Sequence, residues 1–273
     1  MTATEAAIRV EDVSLAYGAE GDPRRVLALD AASLGVRRDE LVCLIGPSGC
    51  GKSTLLGVMG GLAKPTTGTV WVDGEKVSGP IPQKIAYVFQ DNTLFPWRTI
   101  LDNIILGLSF QGTQRSERRE RARAALDAVG LSEFAEHFPA QLSGGMRQRA
   151  QLGRALALHT DFLLMDEPFA ALDEQTRMVL GEDLSVLLAR TGKTIVFVTH
   201  SLVEAVFLAD RVAVFSARPG RIKTVISVDE GHPRSRAFMT SPKLAALRNE
   251  LYELLHEEVR ASMDTGAGGA VRP

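Results

Sequence analysis

Leu41-Val42-Cys43-Leu44-Ile45 runs directly into Gly46-Pro47-Ser48-Gly49-Cys50-Gly51-Lys52-Ser53-Thr54. The first five residues form a short unbroken apolar run, the pattern of a strand buried on both faces. The next nine fit G-x-x-x-x-G-K-[ST], the loop that cradles nucleotide phosphates. Phosphate oxygens need backbone N–H donors at close range, and glycine lets the chain curl that tightly without a Cβ clash. A helix is predicted from near Lys52, so its positive end adds to the cradle. Lys52 brings a full charge toward the β- and γ-oxygens, and the Ser53 hydroxyl is placed to reach Mg2+. A plain glycine turn would explain the loop, but not its place between a buried strand and a helix.

On either side of this unit the patterns alternate between strand and helix. Residues 8–15 (IRVEDVSL) alternate like an edge strand, and 19–23 (AEGDP) punctuate it as a loop. Residues 69–74 and 85–89 read as further strands. From about 92 to 158 the chain becomes mostly helical; 115–129 is charged on one side, with Ala124, Ala125, Leu126 and Val129 on the other. Buried strands return at 162–165 and 194–199, an amphipathic helix at 202–208, and strands at 211–215 and 223–228 around Ala217-Arg218-Pro219-Gly220. A final helix at 243–259 spaces Leu244, Leu247, Leu251, Leu254, Leu255 and Val259 along one face. The expected fold class is α/β: one domain over 1–262 with a helical subdomain inserted at about 92–158, then a Gly/Ala-rich tail, 263–273, expected to be disordered.

Composition narrows the function classes. Of 273 residues, 45% are apolar and 23% charged, an ordinary globular mix. A formal net charge of −2 sets up no global field for nucleic acid or anionic lipid. The basic stretch 115–123 is interleaved with Glu117 and Glu120 and reads as a solvated helix face. The N-terminus lacks the basic and apolar regions of a secretory signal. No apolar run approaches the roughly 18–20 residues needed to span a bilayer. Cys43 and Cys50 form no disulfide framework, so a reducing cytoplasm is expected, with any membrane served from outside the bilayer.

Phe162-Leu163-Leu164-Met165-Asp166-Glu167 supplies a second half to the site. Apolar residues bury the strand, and the first carboxylate at its end can hold Mg2+ through water. Glu167 is then placed to polarise a water that attacks the γ-phosphate. Ser143-Gly144-Gly145 opens a helix with Ser143 at or near its N-cap and the backbone bared by two glycines, a second anion-binding helix start. It lies in the helical lobe, far along the chain from Lys52. One chain is not expected to close both onto one phosphate, which points to a dimer.

Taken in order, these motifs resemble an ABC-transporter nucleotide-binding subunit over about residues 8–230. The resemblance implies a P-loop NTPase core, the ABC ATPase cassette, that binds ATP and Mg2+ and hydrolyses ATP. Tyr17 then matches the aromatic that stacks on adenine, and Gly46, Pro47, Ser48, Gly49, Cys50, Gly51, Lys52, Ser53 and Thr54 match the Walker A loop. Gln90 matches the Q-loop glutamine near Mg2+ and water. Ser143, Gly144 and Gly145 match the signature loop that completes a partner's ATP site. Asp166 matches the Walker B aspartate, a metal ligand with Ser53 and Gln90, and Glu167 the catalytic glutamate. Ala171-Leu172-Asp173 matches the loop that crosses the dimer interface, and His200 the switch histidine at the γ-phosphate. Met146 departs from the widespread form of the signature, which has glutamine there.

Within the family, Gln90-Asp-Asn-Thr-Leu-Phe95-Pro96-Trp97 and Ser216-Ala-Arg-Pro-Gly-Arg-Ile222 are similar to importer ATPases for nitrate, taurine, alkanesulfonates and related small anions. Those commonly read Leu-Pro-Trp where this chain has Phe95-Pro96-Trp97. The implied partners are a second copy of the chain, integral-membrane permease subunits that Phe95 and Trp97 would face, and indirectly a solute-binding protein, with no nucleic acid. The implied place is peripheral, on the cytoplasmic face of the membrane. Two alternatives stand beside this reading. Trp97 could simply pack within the lobe, and the cassette could serve lipid transport, export or a nucleic-acid- or ribosome-linked task. A P-loop phosphotransferase leaves Ser143-Gly-Gly without a use.

Overall fold

A computed structural model describes residues 6–170, 177, 181–182, 184–186 and 192–266. Its strands are β1 (Ala6–Tyr17), β2 (Val26–Arg37), β3 (Leu41–Ile45), β4 (Thr67–Val72), β5 (Glu75–Lys76), β6 (Ile85–Val88), β7 (Phe162–Asp166), β8 (Thr194–Val198), β9 (Arg211–Phe215) and β10 (Ile222–Ser227). Among its helices are α1 (Lys52–Met59), α2 (Ile100–Phe110), α3 (Arg115–Ala128), α4 (Gly144–Ala157), α5 (Leu202–Leu208), α6 (Arg236–Met239) and α7 (Pro242–Gly266).

The unbroken apolar runs become the inner strands of a six-stranded sheet ordered β10-β9-β3-β8-β7-β6. β6, β7, β8, β3 and β9 are parallel, and β10 closes one edge antiparallel to β9. Every residue of β3, β7 and β8 is buried. Alternate side chains enter different layers. Val42, Leu44, Phe162, Leu164, Val196 and Val198 pack with α1 and the antiparallel sheet β2-β1-β4-β5. Cys43, Ile45, Leu163, Met165 and Phe197 pack with the helical lobe, α5 and α7. Each large apolar side chain buried this way contributes roughly 1.5–3 kcal/mol. Parallel strands carry their loops and helix starts at the carboxyl end, so β3, β7 and β8 deliver their following residues to one rim.

The helices α2–α4 lie between β6 and β7 in the chain. Thr99 caps α2 by accepting from the Asp102 N–H at 3.1 Å, a contact worth about 1 kcal/mol. On α3, Ala122, Ala125 and Leu126 are buried whereas Ala124 is exposed, a correction to the predicted apolar face. Ala122 lies one turn before Leu126, so the 3.6-residue period places it inside.

Two further expectations need correcting. Residues 8–15 are not at a sheet edge: β1 pairs with β2 on one side and β4 on the other. Alternation reports one buried face and carries no information about lateral neighbours. α7 continues to Gly266, past the 262 boundary; residues 267–273 lie outside those described. The segment 26–37, unassigned in the sequence, is β2, whose pairing with β1 is interrupted by register shifts that blur its period.

Candidate functional site

The loop between β3 and α1 turns through two left-handed glycines, Gly49 at φ 72° and Gly51 at φ 103°. Gly51 is obligatory on space as well: a Cβ there would lie 2.7 Å from the Ala28 carbonyl oxygen. The turn aims the first N–H groups of α1, which lack intrahelical acceptors, at the space above the loop. Lys52 is almost fully buried, and its Nζ donates to the carbonyls of Gly46 and Pro47, both at 2.9 Å. The ammonium is thus held inside the curl of its own loop.

At the carboxyl end of β7, Asp166 accepts from the Ser53 hydroxyl at 2.9 Å. Burial pushes the Asp166 carboxyl above its usual range, and the Ser53 hydrogen bond works against that. A hydroxyl and a carboxylate at this distance form an all-oxygen pair that fits a hard divalent cation sharing its remaining positions with phosphate and water.

Glu167 adopts φ 48°, a conformation costing a non-glycine residue of the order of 1–2 kcal/mol. Its backbone N–H donates to Val198 of β8, and its carbonyl accepts from Gln148 Nε2 of α4 at 3.1 Å. These anchors turn the carboxylate toward Gln90 and His200. His200 Nε2 lies 2.6 Å from Oε1, and Gln90 Nε2 donates to Oε2 at 3.2 Å. Three residues from three strand ends therefore meet around one carboxylate.

Tyr17, Ser48, Gly49, Gly51, Lys52, Ser53, Thr54, Gln90, Glu167 and His200 line one cavity of about 580 Å3. Tyr17 holds its hydroxyl 3.2 Å from Thr54 Oγ1 and leaves more than half of its surface exposed at the cavity rim. Gly46, Pro47 and Cys50 shape the loop without lining the cavity. The Cys50 thiol is buried beneath it, and Cys43 and Cys50 are free. Ser143 caps α4, accepting from the Met146 N–H at 3.3 Å, but neither it nor Gly144 or Gly145 lines this cavity. Asp173, with Ala171 and Leu172, lies outside the described residues.

Two residues join the site without having been singled out in the sequence. Gln148 ties α4 to the Glu167 carbonyl, and its position one turn inside a glycine-opened helix was the available clue. Arg218 lines the cavity and donates from Nε and Nη2 to the Gly49 carbonyl at 3.0 and 2.9 Å. Its clue was the Arg-Pro-Gly turn between two strands.

The comparisons with known proteins agree with this geometry. A profile described as ABC transporter matches residues 29–170. An uncharacterized ABC transporter ATP-binding protein of Methanocaldococcus jannaschii is 44% identical over 256 residues, covering 94% of each chain. A taurine import ATP-binding protein of Rhizobium johnstonii is 42% identical, covering 93% of this chain and 99% of its own. A nitrate import ATP-binding protein of Synechocystis is 43% identical, covering 84% and 88%. Among solved structures, the ATP-binding cassette MJ0796, dimeric in a post-hydrolysis state with ADP and Pi, is similar at TM-score 0.74 and 33% identity, over 82% of this chain and 100% of that one. No helix among the described residues is long and apolar enough to cross a membrane. A phosphate-binding loop facing an acidic strand end, on a fold shared with these relatives over most of its length, makes this chain a member of the ABC transporter family, an ATP-binding and ATP-hydrolysing cassette.

Proposed function

We propose that this cassette energises uptake of a small anionic solute, working as a homodimer on the cytoplasmic face of permease subunits supplied by a solute-binding protein. The observation that carries the ATPase half is the Glu167 carboxylate, gripped by Gln90 and His200 beside the Lys52 loop. Tyr17 offers its exposed ring to adenine, while Lys52 and the N–H groups from Gly49 to Thr54 receive the phosphates. Ser53 and Asp166, with Gln90 nearby, would hold Mg2+. When bound there, Mg2+ neutralises charge on the β- and γ-oxygens. Glu167 takes the proton of the attacking water, and His200 orients that carboxylate while facing the γ-phosphate.

The α4 start does not line its own cavity, so Ser143, Gly144 and Gly145 are assigned to the ATP of a second copy, with Asp173 at the crossing. Gln148 gives this proposal a physical route. It joins α4 to the carbonyl of Glu167, so closure on a partner's nucleotide bears on the chain's own base. The dimeric state of the MJ0796 cassette supports the arrangement.

The import half rests on the relatives named for taurine and nitrate import and on Phe95-Pro96-Trp97. Trp97 is 71% exposed with its ring 5.5 Å from that of Phe95. Leu62, Phe89 and Phe110, also exposed, line a second cavity of about 310 Å3 between the sheet and α2. Rigid exposed aromatics of this kind suit a short helix from a membrane subunit.

Glu167→Gln tests the assignment. Both carboxylate oxygens serve as acceptors, whereas an amide offers one acceptor and one donor, and it cannot take a proton. Hydrolysis should fall by about 10²–10⁴-fold while ATP still binds. Light scattering should then report a dimer with ATP and a monomer without it. No mass change would count against the shared-site dimer, and unimpaired hydrolysis against the role of Glu167. Failure to co-purify with a multi-spanning membrane protein would remove the import reading.

A further inference from the structure

The loop that must present its N–H groups to phosphate is held from outside by a turn that the mechanism above leaves unused. Residues 216–221 join β9 to β10. Ser216 closes the turn by accepting from the Arg221 N–H and donating to the carbonyls of Ala217 and Pro219. Gly220 lies against the phosphate loop. Its N–H donates to Ala28, its carbonyl accepts from Asp30 N–H, and a Cβ on it would sit 1.9 Å from the Cys50 carbonyl oxygen. From the crest of the turn, Arg218 reaches back with two N–H groups to the one carbonyl of Gly49. The other side of the turn is tied to the C-terminal helix: Glu258 of α7 accepts from the Ala217 N–H at 2.8 Å. The other Glu258 oxygen meets Lys223 of β10 at 2.9 Å.

We propose that this turn is a strut joining α7 to the phosphate loop, and that Arg218 is the positioning residue through which the strut sets nucleotide affinity. A glycine loop has no side chains with which to pack itself. The Gly49 carbonyl shares its peptide plane with the Cys50 N–H, so pinning it fixes that plane and restrains the backbone that leads to the N–H groups at Gly51 and Lys52. Loss of the pin makes the loop pay its ordering entropy when nucleotide binds. The guanidinium is exposed and donates to the Gly49 carbonyl, so its removal should leave the fold intact. The inference rests on the nucleotide reading of the cavity.

The test compares Arg218→Ala, Arg218→Lys, Glu258→Ala and Glu258→Gln in the full chain, with Lys52→Ala alongside. ATP affinity is read by calorimetry, turnover as KM against kcat, and amide hydrogen exchange over residues 46–52. Arg218→Ala should raise the Kd and KM for ATP by about three- to tenfold, with kcat within about twofold and an unchanged melting temperature. Exchange should accelerate in the phosphate loop and not in β3. Arg218→Lys should stay close to Arg218→Ala, because a single ammonium cannot make the two-pronged contact. Glu258→Ala should repeat the pattern more weakly, and Glu258→Gln, which keeps an acceptor for Ala217, should resemble the native chain. Native affinity and loop exchange in Arg218→Ala would overturn the proposal. Full rescue by lysine would overturn it too, since bare charge would then suffice, and so would faster exchange spread evenly through the chain. Tight ATP binding by Lys52→Ala would instead overturn the nucleotide reading beneath it.

Discussion

Replacing Asn103 by alanine tests how the exposed aromatic loop is held. Asn103 lies on α2 with no exposed surface. Its Oδ1 accepts from the Phe95 N–H at 2.7 Å, and its Nδ2 donates to the carbonyls of Thr99, Phe95 and Arg98 at 2.9, 3.2 and 3.3 Å. The loop from Phe95 to Thr99 is therefore folded around a single buried amide. Neutral hydrogen bonds contribute about 0.5–1.5 kcal/mol each, and the two longer ones belong at the bottom of that range. Together the four bonds come to about 3 kcal/mol, and the orphaned Phe95 N–H adds to that, so about 3 kcal/mol is a floor. For a chain of this size that corresponds to about 6–12 °C in the unfolding midpoint. Thermal unfolding followed by circular dichroism reads this, and calorimetry with ATP should show an unchanged Kd, because the loop does not line the nucleotide cavity. Asn103→Asp sharpens the sign. It keeps the acceptor for Phe95 but turns a second oxygen toward three carbonyls, so it should be at least as destabilising as alanine. A shift under about 2 °C for alanine, or a milder effect for aspartate, would refute the claim that this amide organises the loop.

Two other substitutions address the partners. Ser143→Arg should leave ATP binding to the monomer intact and collapse turnover, because bulk is placed at the start of α4 where a second copy's γ-phosphate is assigned; native ATPase activity would remove that role. Replacing Phe95 and Trp97 together by alanine should preserve ATP binding but abolish pull-down of the permease and solute uptake in vesicles. Unchanged uptake would return Trp97 to a packing role within the lobe.

Much of the core of the site was legible locally, because its chemistry depends on neighbours in sequence. The spacing from Gly46 to Thr54 already specifies strand, turn and helix start, and the structure places Gly51 at φ 103° with α1 beginning at Lys52. Asp166 and Glu167 follow an apolar run whose burial on both faces needed no tertiary information. Ser143 before two glycines likewise announced a capped helix.

Other features belong to the tertiary structure alone. Whether β1 was an edge or an interior strand depended on β2, whose bulged pairing hides its period, and on β4 from another part of the chain. The left-handed backbone of Glu167 is sustained by contacts from β8 and α4, which no spacing within the acidic motif encodes. Arg218 and Gly49 are 169 positions apart, and Glu258 reaches the same turn from the C-terminal helix. Sequence by itself determined which groups are proposed to hold phosphate, cation and water, since that proposal follows from residue type and local backbone geometry. Packing decided which of them meet: it brought Gln90 and His200 onto Glu167, left Ser143 outside the lining of its own chain's cavity, and set an arginine against the phosphate loop. Such contacts form only when distant segments are buried against one another, and a linear pattern carries no record of those encounters.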